Sequence, residues 1–182
     1  MRHQIILPSF ALAVAAVIAS AAPAGAQAAA PAPAAIPGID TVHAVTSTVS
    51  CGSNVRPEAM AEVKKAGFRS VISLRVPGEE GYDLPAAETA ARDAGLRFVS
   101  IPVDPVHLTR ESANRFLEVL ASPETAPVFI FCRSGQRVAA MWMIKRLVQD
   151  RWTKERALAE AEALGLTRPD LKAFALGFAP AS

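Results

Sequence analysis

Cysteine, histidine and tyrosine are scarce in this chain: its 182 residues include two cysteines, three histidines and one tyrosine. The histidines and cysteines do not fall at metal-ligand spacings, so no metal centre is expected. Cys51 and Cys132 allow one disulfide at most, and two cysteines alone do not argue for it. An aromatic content of 6% gives no hint of an aromatic-lined binding site. Net charge is low as well. A formal value of +2 gives no case for nucleic acid or an anionic membrane as partner. Long apolar runs are missing except at the N-terminus, so no other segment is long enough to span a bilayer.

That N-terminal run covers residues 5–22. It follows Arg2 and His3 and ends at Ala24-Gly25-Ala26. A basic start, an apolar core and a small-x-small site read as a secretory signal peptide cut after Ala26, which implies an exported, periplasmic protein. The alternative is a retained membrane anchor, weakened by Pro8 and by the alanine-rich character of the run. Cleavage would remove a single charged side chain, Arg2, and leave residues 27–182 with 18 basic and 17 acidic residues. The 51% hydrophobic content is inflated by this leader and by the Ala/Pro-rich stretch after it. Residues 27–40 are expected to be a flexible, extended lead-in, and residues 41–182 a single domain large enough for a real core.

Within that domain helical and strand patterns alternate. Residues 57–66 read as a helix, with Pro57 in the first turn and Gly67 past the end. Residues 70–74 (SVISL) are a β-branched run, hence a strand, and residues 76–82, with Pro77, Gly78 and Gly81, a loop. A helix over 85–94 stops at Gly95, a strand follows over 98–103, and Thr109 caps a helix to about Leu120. Residues 128–131 are a buried strand bounded by Pro127. Helices follow from about Arg137, over 153–164 with Thr153 as N-cap, and from Thr167-x-x-Asp170, which reads as a capping box, through about Leu176. This alternation predicts an α/β fold with a largely parallel central sheet flanked by helices.

The chemistry concentrates at Cys132-Arg133-Ser134-Gly135-Gln136-Arg137. Here a cysteine leaves a strand end, a short loop turns, and a helix begins. The first turn of a helix presents N–H groups without partners and partial positive charge. A tight loop in front aims more N–H groups at the same point, with Gly135 supplying backbone freedom. Arg137 adds a fork suited to phosphate-like oxyanions. The same field stabilises a thiolate, which makes Cys132 a nucleophile at neutral pH. A lone cysteine at a strand end is otherwise a small core residue. The glycine at +3 and arginine at +5 favour a reactive site.

This loop resembles the phosphate-binding loop of cysteine-dependent tyrosine and dual-specificity phosphatases, usually His-Cys-x5-Arg-Ser/Thr. The sequence departs from that pattern in three places: Phe131 stands where His is usual, the arginine is at +5, and Val138 follows it. A Cys-x4-Arg loop is similar to the bacterial phosphatase-like family related to the beta-lactamase-hydrolase-associated domain, and also to the loop of rhodanese sulfurtransferases. The segments 66–75 (AGFRSVISLR) and 94–104 (AGLRFVSIPVD) look like strand–loop segments of the dual-specificity type, and the likeness covers roughly residues 44–170.

The resemblance implies a dual-specificity-phosphatase-like fold and a phosphate-ester or other small-oxyanion substrate. It implies no metal or organic cofactor. Cys132 would attack phosphorus, and the amides of Arg133, Ser134, Gly135 and Gln136 would hold the phosphoryl oxygens with Arg137. Asp104, 28 residues before Cys132, would protonate the leaving oxygen and then activate water. Its other reading is a turn former ahead of Pro105. Arg75 would add charge at the pocket rim, or else be an exposed strand-end arginine. Arg133 would point outward, toward the rest of the substrate. Cys51 would lie on a segment approaching the loop, which raises the idea of a Cys51–Cys132 redox switch. Two other functions stay open: sulfur transfer through a Cys132 persulfide, favoured by the short loop and by Val138, and an inactive relative that binds an anion or a protein, kept in view by Phe131.

Overall fold

The computed structural model describes residues 35–179. The expected signal peptide and residues 27–34 of the lead-in lie outside the described residues. The remainder of that lead-in is packed: Ile36 is buried against Val55, Ala59 and Met60, so the folded unit begins ahead of residue 41.

Among the described residues five strands form one sheet in the order β1-β2-β5-β3-β4. They are β1 Thr41–Thr46, β2 Val49–Ser53, β3 Ser70–Ser73, β4 Arg97–Ser100 and β5 Val128–Cys132. The β2–β5, β5–β3 and β3–β4 pairs are parallel, and only the edge strand β1 runs antiparallel, in a hairpin with β2. The expected largely parallel α/β sheet is therefore present. Six helices lie among the described residues: α1 Met60–Lys65, which follows a 3-10 turn at Pro57–Ala59, α2 Leu84–Asp93, α3 Arg110–Ala121, α4 Gln136–Val148, α5 Lys154–Ala163 and α6 Pro169–Leu176.

Strand β5 sits at the centre, buried at every position, and its alternating side chains divide the core. Phe129 and Phe131 face Val71, Phe68, Met60, Ala87 and Ala91, so α1 and α2 cover that side. Val128, Ile130 and Cys132 face Phe116, Val138, Met141, Leu171 and their neighbours, so α3 to α6 cover the other. This is why residues 128–131 read as a continuous apolar run, since a central parallel strand has no solvent face. Helix α4 lacks a polar stripe for the same reason. It is buried from Arg137 through Ile144 and again at Leu147, between the sheet on one side and α5 and α6 on the other.

Two boundaries differ from the sequence expectation. Strand β4 ends at Ser100 because Pro102 has no N–H to donate, yet Ile101 and Val103 still donate to Ser73 O and Leu74 O and carry the chain on beside β3. The capping box expected at Thr167-x-x-Asp170 does not form. Arg168 is the N-cap of α6 and makes no side-chain cap, because Thr167 and Asp170 are engaged elsewhere.

Gly52 is fixed by its neighbours. A Cβ placed there would lie 2.3 Å from Thr41 O and 2.7 Å from Phe129 Cζ. Gly52→Ala is expected to destabilise the protein by about 3 kcal/mol, the upper range for overpacking, and to lower Tm by about 10 °C. Thermal unfolding followed by circular dichroism checks this, and an unchanged Tm would refute the tight β1–β2–β5 packing.

Candidate active site

The carboxyl ends of β2, β5 and β3 converge on one rim, the place where parallel sheets bind ligands. Cys132 is the last residue of β5, and its carbonyl accepts from Asn54 N at 2.9 Å. The chain then turns through Arg133 and Ser134 to Gly135, whose φ of +81° is a left-handed conformation that favours glycine. That turn brings Gly135 N–H to 3.1 Å from Cys132 Sγ. Helix α4 starts at the next residue with no side-chain cap, which leaves its first-turn N–H groups available to an anion. The Cys132 side chain is wholly buried.

Arg137, in the first turn of α4, is buried and held from three directions. Its Nη1 donates to Leu74 O and Val103 O, both at 3.1 Å, which are the carbonyls at the ends of the two neighbouring segments. Nη1 and Nη2 together grip Glu79, at 2.9 and 2.8 Å. The guanidinium also comes within reach of the Cys132 side chain. Burial opposes the charge of Arg137, but the Glu79 bonds and the proximity of Cys132 outweigh it and raise its pKa above the ordinary arginine value. The guanidinium is thus fixed by its outer end while its charge bears on the cysteine.

Glu79 went unrecognised in the sequence. It lies in the 76–82 loop after β3, accepts from Val76 N at 3.2 Å, and sits 3.3 Å from Arg75 Nε. Its signal was an acidic residue four positions after a strand-end arginine, in a glycine-rich loop. Arg75 follows β3 at the same rim and lines a second cavity with Arg133 and Ser134, but it is not the exposed strand-end arginine of the other reading. It is 1% exposed, donates to Gly81 O and Glu80 O, and stacks on Tyr82, so it builds the loop that carries Glu79.

Burial by itself would raise the Glu79 pKa, but the bonds from Arg137 and the Val76 amide, with the charges of Arg137 and Arg75, hold it below 4.5. Its stabilising contribution is therefore complete above pH 4.5 and is lost as pH falls through the lower folded value. Glu79→Gln should cost about 2 kcal/mol at pH 7. The gap in Tm between wild type and variant should close as pH drops below 4.5, and a gap independent of pH would contradict the ion pair.

A cavity of about 470 Å³ opens beside this loop, lined among others by Glu79, Asp104, Arg133, Ser134, Gln136, Arg137 and Arg168. Cys132 lies beneath this wall, not in it. Arg133 points outward, 57% exposed, 3.1 Å from Glu80. Asp104 is half-buried on the cavity rim. Its Oδ1 accepts from Val106 N at 2.8 Å and His107 N at 3.2 Å, and Oδ2 lies 3.0 Å from His107 Nδ1. The Val106 amide first, then His107, hold the Asp104 carboxyl below the usual carboxylate range. In this state Asp104 is an ionised turn former on the cavity rim.

Gln136 is committed to the chain itself. Its Nε2 donates to Gly165 O and Thr167 Oγ1, and its Oε1 accepts from Thr167 N and Arg168 N. Its backbone remains in the first turn of α4, while its side chain ties the 165–168 loop to that turn. Arg168, a further residue that sequence reasoning missed, is placed by this tie at the cavity mouth.

The two cysteines are free and lie on the same face of neighbouring parallel strands. Cys51 pairs with Ile130, however, and Ser53 with Cys132. A two-residue diagonal separates Cα atoms by roughly 7–8 Å, beyond disulfide reach without backbone movement. Burial, then the charges of Cys132 and Glu160, push the Cys51 thiol up to about 12, so it is a neutral core residue. Among the described residues no group of His, Cys, Asp and Glu is arranged to hold a metal, and no helix is long and apolar enough to cross a membrane.

The sequence matches the family model described as "Beta-lactamase hydrolase-like protein, phosphatase-like domain" over residues 41–148. Beta-lactamase hydrolase-like proteins of two Xylella fastidiosa strains are 33% identical over 105 residues, 56% of this chain. The match spans 23% of their own length, so most of those proteins has no counterpart here. In structure, the core catalytic domain of the PP-IP phosphatase SIW14 from S. cerevisiae superposes with a TM-score of 0.62 at 18% identity, covering 74% of this chain and 83% of that one. P. aeruginosa TpbA in complex with pTyr gives 0.57 at 18% identity, covering 78% and 88%.

Proposed function

Because the chain belongs to the family of the beta-lactamase hydrolase-like phosphatase-like domain, we propose that it hydrolyses phosphate monoesters through a phosphocysteine intermediate, phosphotyrosine being one candidate. One observation carries this reading: the Cys132 sulfur lies under a helix N-terminus, receives the Gly135 N–H, and feels the charge of an arginine whose outer end is locked by Glu79. The Cys132 thiolate attacks phosphorus and the ester P–O bond breaks. The loop amides and the Nε edge of Arg137 bind the equatorial oxygens, each such donor contributing about 10²–10³-fold in rate. Asp104 gives its proton to the leaving oxygen. Water then attacks the phosphocysteine, Asp104 takes the proton back, and the S–P bond breaks to return thiolate and inorganic phosphate. A phosphate dianion beside Asp104 raises its pKa, so substrate itself supplies the shift that the free protein lacks. The N-terminal pattern of Arg2, the apolar run and Ala24-Gly25-Ala26 supports export to the periplasm.

The test is side-by-side assay of reduced protein for p-nitrophenyl phosphate hydrolysis and for thiosulfate-to-cyanide sulfur transfer. Phosphate release is expected. Sulfur transfer without phosphate release would replace this reading with a persulfide carrier. Neither activity, with the Cys132 thiol free, would leave an anion-binding protein.

A further inference from the structure

Residues 104–108 form no regular structure, and Val106 at the tip is 75% exposed. Asp104 folds the loop on itself through Val106 and His107. Among the described residues, the hydrogen bond that ties this loop to the rest of the chain comes from Arg168, whose Nη2 donates to Pro105 O at 2.8 Å. Arg168 is itself fixed. Its Nε donates to Asp170 Oδ1 at 3.1 Å, its Nη2 bonds Asp170 Oδ2, and its amide donates to Gln136 Oε1 at 3.2 Å. Gln136 is the first residue of α4, one residue before Arg137. A continuous chain of hydrogen bonds therefore runs from the first turn of α4 through Gln136 and Arg168 to the carbonyl next to Asp104. Arg168 and Arg137 lie close enough across the cavity for their charges to oppose each other.

We propose that Arg168 is a positioning residue that sets the distance between Asp104 and the cysteine loop. This rests on the phosphatase reading, and it places a working part outside the 41–148 family match. A general acid needs its proton within hydrogen-bond reach of the leaving oxygen, and a misplacement of about 1 Å is costly. Arg137 and Leu74 fix Val103 just ahead of the loop, and Arg168 is the second anchor, at Pro105 O, so Asp104 between them keeps that distance only while both hold.

Proton donation matters for a poor leaving group and little for a good one, which gives a readout that general loosening would not move. The experiment compares kcat/KM, which reports P–O cleavage and not the later hydrolysis of the phosphocysteine, for phenyl phosphate and 2,4-dinitrophenyl phosphate in wild type, Arg168→Met, Arg168→Lys and Asp104→Asn. Arg168→Met should lose roughly 30-fold on phenyl phosphate, less than the ~10²-fold or more of removing the acid itself, and under about 3-fold on the dinitrophenyl ester. Arg168→Lys should recover part of the loss, and Arg168→Met combined with Asp104→Asn should be no slower than Asp104→Asn alone. Equal losses on both esters, or no loss, would overturn the proposal. A wild type that hydrolyses neither ester would instead overturn the phosphatase reading. Amide exchange then still decides the clamp: Val106 and His107 should exchange faster in Arg168→Met, and unchanged exchange would overturn it.

Discussion

Phosphate release by the Cys132→Ser protein will fall at least about 10⁴-fold below wild type, with the fold intact, because a hydroxyl without a base is a far weaker nucleophile than a thiolate. The site offers serine no help. The Gly135 N–H and the Arg137 guanidinium stabilise negative charge at the sulfur but accept no proton. The serine oxygen fits the same space and can accept that N–H, so thermal stability should change by about 1 kcal/mol at most. The proposed phosphate cradle is backbone and Arg137, so the variant should keep the affinity for inorganic phosphate that this reading assigns. Isothermal titration with phosphate beside the turnover assay separates the two effects. Turnover surviving in the serine protein would remove Cys132 from the chemistry.

Arg137→Lys is expected to lose about 10³-fold in kcat/KM and about 3 kcal/mol in stability together. The rate loss follows from replacing a planar fork by a single ammonium, which cannot hold Glu79 with one face and a phosphoryl oxygen with the other. The stability loss follows from geometry. Arg137 satisfies Leu74 O, Val103 O and both oxygens of Glu79 in a buried setting, and one ammonium has three N–H groups for these four acceptors. Steady-state kinetics and urea unfolding on one preparation test both. A variant with normal stability and poor turnover would mean that the Glu79 and carbonyl bonds are incidental.

The cysteine loop was legible because its parts are adjacent in sequence: strand, cysteine, glycine and arginine follow each other within ten residues. The alternation of helices and strands was legible for the same reason, and Thr109 and Thr153 do accept from Ser112 N and Arg156 N as their caps require. What escaped depends on contacts across the chain. Strand β1 is an edge strand with a mixed exposure pattern, so no clean alternation marks it. The burial of Arg75 was not legible because nothing local shows that Tyr82 and the Gly81 carbonyl enclose it. Glu79 meets Arg137 across 58 positions. Thr167-x-x-Asp170 has the letters of a capping box, but Gln136, 31 positions earlier, takes the threonine and Arg168 takes the aspartate. Asp104 is the instructive case. The letters allowed both an acid and a turn former, and the free protein shows the turn former.

Helix α4 is covered on every side, by the sheet on one and by α5 and α6 on the other. The region shared with the family ends at residue 148, at the last residue of that helix. Evolutionary kinship and mechanical integrity therefore part company at this point. A protease or a cloning boundary that cut the polypeptide there would expose Met141 and Trp142 and the cluster around Leu171 and Ala175 they belong to, and would leave Gln136 without the loop it holds. The product would be a sticky fragment prone to aggregate, not a smaller folded domain.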